Sequence, residues 1–461
     1  MTASTLPLLV LIAFLWWRTK GELLPIVLFT SIFDAASALN VAGAPVTPWL
    51  FALIICLPIK ALSGKLSLRP VPGLNRAAFR SLLLFVGYAL FSSVVFPFLF
   101  HGILVSNSRN GLNVHLAWSM TNFTQPTYLL AALAVFLLSI HSTREQLRNA
   151  VNWYIRACVC IACFSMYQLA NATLHVPYPS AILYTNTAHT IYDAYKISGV
   201  WRLNSTLTEA SEAAFYLGTG LALLGWHLAT HRIRWQSAAS FLLILTALVL
   251  TVSTVGYACL GTIAIGGILL YARYSFRRQS MAPVKLLLLL GLVGTAVPLL
   301  ILTDAGHTIS NVLANVFVNK VDSASYRERS LWNTLALKTS HDSYYFGAGW
   351  GSVRASSFAC SLMANVGIPG VLLFLFFILQ LLRPLWTPKR YARFEMYERS
   401  LFAIAVVLVA LLIATPDPIE PIIWVLFAIA TASKPRRMAR TAQSPAQAGI
   451  PVDRPTLIPQ M

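Results

Sequence analysis

LLLFVGYALFSSVVFPFLF, residues 82–100, contains no charged side chain. Wound as a helix, a run of this kind approaches the ~20 apolar residues that cross a ~30 Å hydrocarbon core. FLLILTALVLTV, residues 241–252, reads the same way. The whole chain of 461 residues is 57% hydrophobic and 11% charged, with mean hydropathy +0.68. Soluble domains carry about 25% charged residues, which excludes that class. A transmembrane β-barrel would alternate apolar and polar positions instead of running continuously apolar. The expected fold is therefore an all-α polytopic membrane protein.

A formal net charge of +19 does not imply nucleic acid here, because of where the charge sits. Lys60, Lys65, Arg69, Arg76 and Arg80, then Arg144 and Arg148, Arg232 and Arg234, Arg273 to Lys285, and Arg383 to Arg399 fall in short connections between apolar runs. The positive-inside rule assigns these connections to the cytoplasm, with attraction to anionic lipid as a second effect. The six cysteines are scattered through apolar segments without metal-site spacing, and they read as small hydrophobes. The N-terminal run LPLLVLIAFLWW lacks a basic region before it and a cleavage site after it, so it reads as a retained first span.

Apolar runs place spans at 5–17, 24–40, 48–62, 81–100, 126–141, 147–170, 212–230, 237–255, 257–272, 284–303, 358–382 and 400–414, with a shorter return at 421–432. That predicts about twelve transmembrane helices. Residues 1–170 hold the N-terminal spans, 171–211 a first large outward loop, 212–303 the central spans, 304–357 a second large loop, and 358–432 the C-terminal spans. Residues 433–461, rich in Pro and Ala with a basic start, read as a disordered cytoplasmic tail. The alternation also puts 40–47 and 101–125 on the side away from the cytoplasm.

Arginines on that side run against the charge bias, so each needs a reason. They are Arg109, Arg202, Arg327, Arg329 and Arg354. In WRLNSTLTEASEAA, Arg202 stands at headgroup depth, where a guanidinium binds phosphate bidentately or pairs with Glu209 or Glu212. Arg327 and Arg329 lie on SYRERSLW; residues two apart do not share a helix face, and Arg327 is the expected inward one. FGAGWGS carries Gly347, Gly349 and Gly351, which either cradle an anion with backbone N–H groups or form a turn re-entering the membrane. Arg354 follows directly. General-base candidates are Glu209, Glu212, His341, Asp342, His307, Asp193 and His189. Asp34 and Arg156, ionisable at membrane depth, are expected to pair across helices or to mark an ion pathway.

The order WRLNSTLTEAS, Thr251-Val252-Ser253, RERSLW, FGAGWGS and VGIPGVLLF resembles that of the O-antigen ligase and polymerase superfamily of bacterial inner-membrane glycosyltransferases, over roughly residues 197–375. The resemblance implies a GT-C-like helical fold whose two large periplasmic loops form a cavity for a polyprenyl-pyrophosphate-linked glycan donor. It implies that Arg202 and Arg327 contact the pyrophosphate, with Arg329, Arg354, Gly349 and Gly351 as further contacts. Glu209 and His341 stand as catalytic candidates, and neither metal nor cofactor is implied; fixed positive charge stabilises the leaving pyrophosphate instead. The sequence departs from the family in two places. Thr254 stands where an arginine is common, and Ser356-Ser357 stand where lipid A core ligases carry His-Asn. The expectation is a polymerase of O-antigen or exopolysaccharide repeat units, with a lipid-linked glycan as acceptor. Ligation to lipid A core is the first alternative and transport of lipid-linked sugars the second. Neither reading involves nucleic acid.

Overall fold

The computed structural model describes residues 2–41, 43–64, 74–107, 111–188, 191, 194–197, 200–231, 233–275, 324–386, 395–414 and 418–432. Over these the protein is mostly helical. In chain order the main helices are α1 (Thr5–Arg18), α2 (Leu23–Thr30), α3 (Pro48–Leu62), α4 (Arg76–Leu99), α5 (Thr121–Ile140), α6 (Arg144–Leu174), the single turn α7 (Ser180–Leu183), α8 (Ala210–Thr230), α9 (Trp235–Leu250), α10 (Thr254–Ser275), α11 (Ala324–Asp342), α12 (Phe358–Trp386), α13 (Glu395–Ile413) and α14 (Pro421–Thr431). Five of them, α4, α5, α6, α12 and α13, are long and apolar enough to cross a membrane. The expected span 284–303 and the tail 433–461 lie outside the described residues.

One expected span is corrected. The apolar run 24–40 is not a single helix: α2 tightens into a 3-10 turn at Ser31–Phe33, and the chain then forms a hairpin. This is the first of three small antiparallel hairpins, β1–β2 (Leu39–Val41 with Ala44–Val46), β3–β4 (Leu104–Asn107 with Gly111–His115) and β5–β6 (Tyr195–Ile197 with Val200–Arg202). All three fall in connections that the charge pattern assigns outward, and hydrogen bonds tie the first two to neighbouring segments. Tyr128 at the start of α5 donates to Pro45 O (3.1 Å), and the N–H of Arg354 donates to Ser106 O (2.9 Å).

α8 runs through the middle, its residues from Ala213 to Leu224 all buried. Small residues let its neighbours close in, as helices in lipid require. A Cβ at Gly220 would stand 2.8 Å from the Cβ of Cys158 on α6, and one at Gly218 the same distance from that of Cys259 on α10. The expected return at 421–432 is a different object from a span. Every residue of α14 is buried, and its eleven residues rise only ~16 Å, about half of the hydrocarbon core. Its C-terminal end is tied to the start of α4, where the N–H of Asn75 donates to Thr431 O at 2.9 Å. Glu420, its N-cap, therefore lies inside the helical bundle, where it accepts a hydrogen bond from Tyr216 of α8. Asp34 and Arg156 do not pair with each other. Arg156 is exposed with its guanidinium 4.7 Å from the centroid of the Trp153 ring, while the backbone carbonyl of Asp34 accepts from Asn186 at 2.8 Å.

Residues Leu203 to Thr208 are irregular and buried throughout, so each polar group needs a partner inside the protein. Gln168 of α6 supplies several: its Oε1 accepts from the N–H groups of Asn204 (3.2 Å) and Ser205 (2.9 Å), and its amide donates to Asn204 Oδ1 (2.7 Å) and Tyr184 Oη (3.0 Å). Tyr178 and Tyr184 both donate to Ser205 O, and Thr206 Oγ1 donates to Ile32 O at 2.6 Å. Gln168→Ala leaves two backbone N–H groups buried without this acceptor. At about 1–3 kcal/mol for each unsatisfied group, a clear fall in the thermal unfolding midpoint of the purified protein is expected. An unchanged midpoint would show that the loop does not depend on Gln168.

Candidate functional site

The 203–208 segment holds Arg202 before it and Glu209 after it. Arg202 ends β6, half-buried, opposite Tyr195 in the ladder; the next rung pairs Lys196 with Trp201, the ammonium 4.8 Å from the indole centroid. The N–H of Leu203 donates to Leu250 O (3.1 Å), so Arg202 adjoins the break between α9 and α10. That break is the Thr251-Val252-Ser253 patch. Thr251 and Ser253 are buried, and Val252 has φ 44°. A β-branched residue in the left-handed region costs of order 1–3 kcal/mol, and such strain persists only where the surroundings impose it.

Glu209 caps α8. It accepts from Ser211 Oγ (3.0 Å) and pairs with Arg329 of α11 at 3.4 Å. Glu212, one turn in, accepts from both the N–H (3.2 Å) and the hydroxyl of Thr208, which fastens the start of the helix. On α11, Arg329, Trp332, Asn333, Ala336, Thr339 and Ser340 are turned inward, the last three fully buried, at the 3.6-residue spacing of one face. Arg327 falls on the opposite face and is exposed. This corrects the expectation that Arg327 points inward. The small residues Ala336, Thr339 and Ser340 are the ones that pack, and they set the register two positions away from it.

Along the same inward face, the guanidinium of Arg354 lies 5.5 Å from the Trp332 ring centroid, and Asn333 Oδ1 accepts from the N–H groups of Ser356 (2.9 Å) and Ser357 (3.0 Å). Trp332 and Asn333 are one turn from Arg329, so Arg354 and Arg329 border the same stretch of α11. Neither Trp332 nor Asn333 was singled out from sequence, although their spacing from Arg329 was the available signal. His341 is not brought into this cluster. It sits exposed in the last turn of α11, ~18 Å along the axis from Arg329, with Nδ1 3.3 Å from Asp342 Oδ1. His189, Asp193, His307 and Arg109 lie outside the described residues.

The glycine run is a plug. The N–H of Gly349 donates to Asn365 O (2.9 Å), that of Ala348 to Ala364 O (2.8 Å) and that of Trp350 to Ser92 Oγ (3.2 Å). Asn122 of α5 donates to Trp350 O and Ser352 Oγ, and Asn107 donates to Ser352 O. Gly349 (φ 103°) and Gly351 (φ 88°) are required because a Cβ would stand 2.6 Å from Ser92 O and 2.7 Å from Thr121 O respectively. The reading of Gly349 as an anion contact is corrected accordingly: its N–H is committed to another helix. Of the two readings of the glycines, the re-entering turn fits the structure.

Arg329, paired with Glu209, and Arg354, over Trp332, thus border one stretch of α11, while Arg202 stands on β6 seven residues before Glu209, beside the break between α9 and α10. No protein-family model matches the chain, and no curated protein matches it.

Two outcomes follow from this geometry. Gly349→Ala places a methyl against the carbonyl of Ser92 in a left-handed position, and a loss of several kcal/mol or failure to accumulate in the membrane is expected. The Arg329–Glu209 pair has side chains 28% and 44% exposed. Such a pair contributes about 0–1 kcal/mol, so Glu209→Gln should shift the unfolding midpoint only slightly. A large shift would mean that the pair holds the fold together.

Proposed function

We propose that this protein is a bacterial inner-membrane glycosyltransferase that polymerises polyprenyl-pyrophosphate-linked oligosaccharide repeat units at the periplasmic face, without a metal. In this reading about twelve spans surround a GT-C-like cavity walled by the two large loops. The observation that supports it is the pairing of Arg329 with Glu209, which joins the RERSLW motif to the WRLNSTLTEAS motif that also holds Arg202. The order of motifs shared with the polymerase and ligase superfamily supplies the substrate class.

The chemistry is a displacement at the anomeric carbon of the donor glycan. A hydroxyl of the acceptor repeat unit bonds to that carbon while the bond to the pyrophosphate oxygen breaks. The electron pair leaves with polyprenyl pyrophosphate, and the hydroxyl proton passes to a base. Guanidinium groups stay charged at any working pH and stabilise the developing negative charge. The Arg329–Glu209 pair is weak and partly solvated, so a pyrophosphate, with greater charge and bidentate geometry, displaces the carboxylate. Glu209 released in this way is placed to accept the proton. Ser356 and Ser357 stand at the position of the ligase His-Asn, so the ligase histidine is missing there, which favours polymerisation over ligation.

Reconstitution with a lipid-linked repeat unit, with and without a lipid A core acceptor, tests the reading. A ladder of products from the donor alone is expected. Product only with core would establish ligation, and movement of donor across the bilayer without a ladder would establish transport. Arg202→Ala and Arg329→Ala should each lower the rate by about 10²–10³, the scale for removing one group that stabilises transition-state charge. Arg327→Ala should lower it far less. Wild-type rates in both the Arg202 and Arg329 variants would end the pyrophosphate assignment.

A further inference from the structure

After α11 the chain turns through Tyr344, Tyr345 and Phe346, which are 79%, 46% and 50% exposed. The turn is a helix C-terminal cap of the Schellman type. The N–H of Tyr345 donates to Ser340 O (2.8 Å) and that of Tyr344 to His341 O (2.9 Å). Glycine normally fills the left-handed position of this cap. Here Tyr344 (φ 52°) does, and Tyr345 is left-handed as well (φ 63°). Two aromatic residues therefore stand where glycine would avoid the steric cost, with their rings turned out of the protein.

The surroundings say what they face. The N–H of Ile368 donates to Tyr345 O at 2.8 Å, directly after the break in α12 at Gly367 (φ 61°), so the turn is fastened where the longer second part of that apolar helix begins. From Ile368 that helix carries an exposed stripe, Leu372, Leu375, Phe376 and Leu379, at the spacing of a single helix face. A stripe of this kind on a spanning helix faces lipid, and the aromatic turn continues it at its loop-bearing end. Tyr belongs at that level, since its ring is apolar and its hydroxyl is wet. Lys338, exposed on the outer face of α11 beside the turn, adds positive charge suited to anionic headgroups.

We propose that Tyr344, Tyr345 and Phe346 seat in the headgroup layer of the bilayer and fasten α11 and the glycine plug to the membrane surface. This goes beyond the glycosyltransferase reading and does not rest on it. The partner is phospholipid. It is not a sugar, although aromatic rings also stack on sugars.

The test uses the full-length protein in vesicles of phosphatidylethanolamine and phosphatidylglycerol, with Tyr344→p-benzoylphenylalanine and, as a lipid-facing reference, Phe376→p-benzoylphenylalanine. On irradiation, phospholipid adducts identified by mass spectrometry are expected at both positions. An adduct at 376 but none at 344, or loss of the 344 adduct when a soluble oligosaccharide is added, would overturn the proposal. Tyr344→Gly provides the second arm, because glycine suits the left-handed cap and the fold is retained. Amide exchange across 324–342 in vesicles should then quicken by about tenfold or more as local opening becomes easier, with no fall in the unfolding midpoint. Exchange at the wild-type rate would mean that the ring anchors nothing.

Discussion

Irregular backbone inside a membrane protein must find every hydrogen-bond partner within the protein, and that requirement shapes the loop-bearing end of this structure. Leu203 to Thr208 meets it through Gln168, Tyr178, Tyr184 and the carbonyls at the end of α2. The glycine plug meets it through Ser92, Asn107, Asn122 and Asn365. In both cases side chains from helices do what water does in a soluble loop. Arg202 and Arg354 stand at the ends of these satisfied segments, so their backbone positions are set by buried contacts.

The same rule separates strong from weak interactions at the site. The partly exposed Arg329–Glu209 pair contributes little to stability and, in the proposed reading, exchanges its carboxylate for a pyrophosphate. The hydrogen bonds from Ser356 and Ser357 to Asn333, by contrast, brace the chain where it enters α12. A stiff frame carrying a replaceable ion pair suits a group that must change partners when an anionic ligand arrives.

The membrane class was legible from residues such as 82–100, since apolar length alone decides it. The hairpins themselves gave no signal, because three-residue strands such as Leu39–Val41 are too short to show alternation. The choice between Arg327 and Arg329 turned on which face of α11 packs, and the deciding residues, Ala336, Thr339 and Ser340, are too small to stand out in a hydropathy pattern. The glycines of FGAGWGS were read for close approach of the backbone. An anion cradle and a close crossing of backbones make the same demand of a sequence, however, so only the positions of Ser92 and Thr121 distinguish them.

The glycine plug also bears on how the protein is made. Ser92 and Asn122 are synthesised more than two hundred positions before their partners Trp350 and Ser352. During translation α4 and α5 are made before residues 347–353, so the Ser92 hydroxyl has only its bond to Ala89 O and the Asn122 amide lacks its acceptors until that segment folds back. The nascent protein therefore passes through a stage in which both helices exist but the contacts that complete their hydrogen bonding do not.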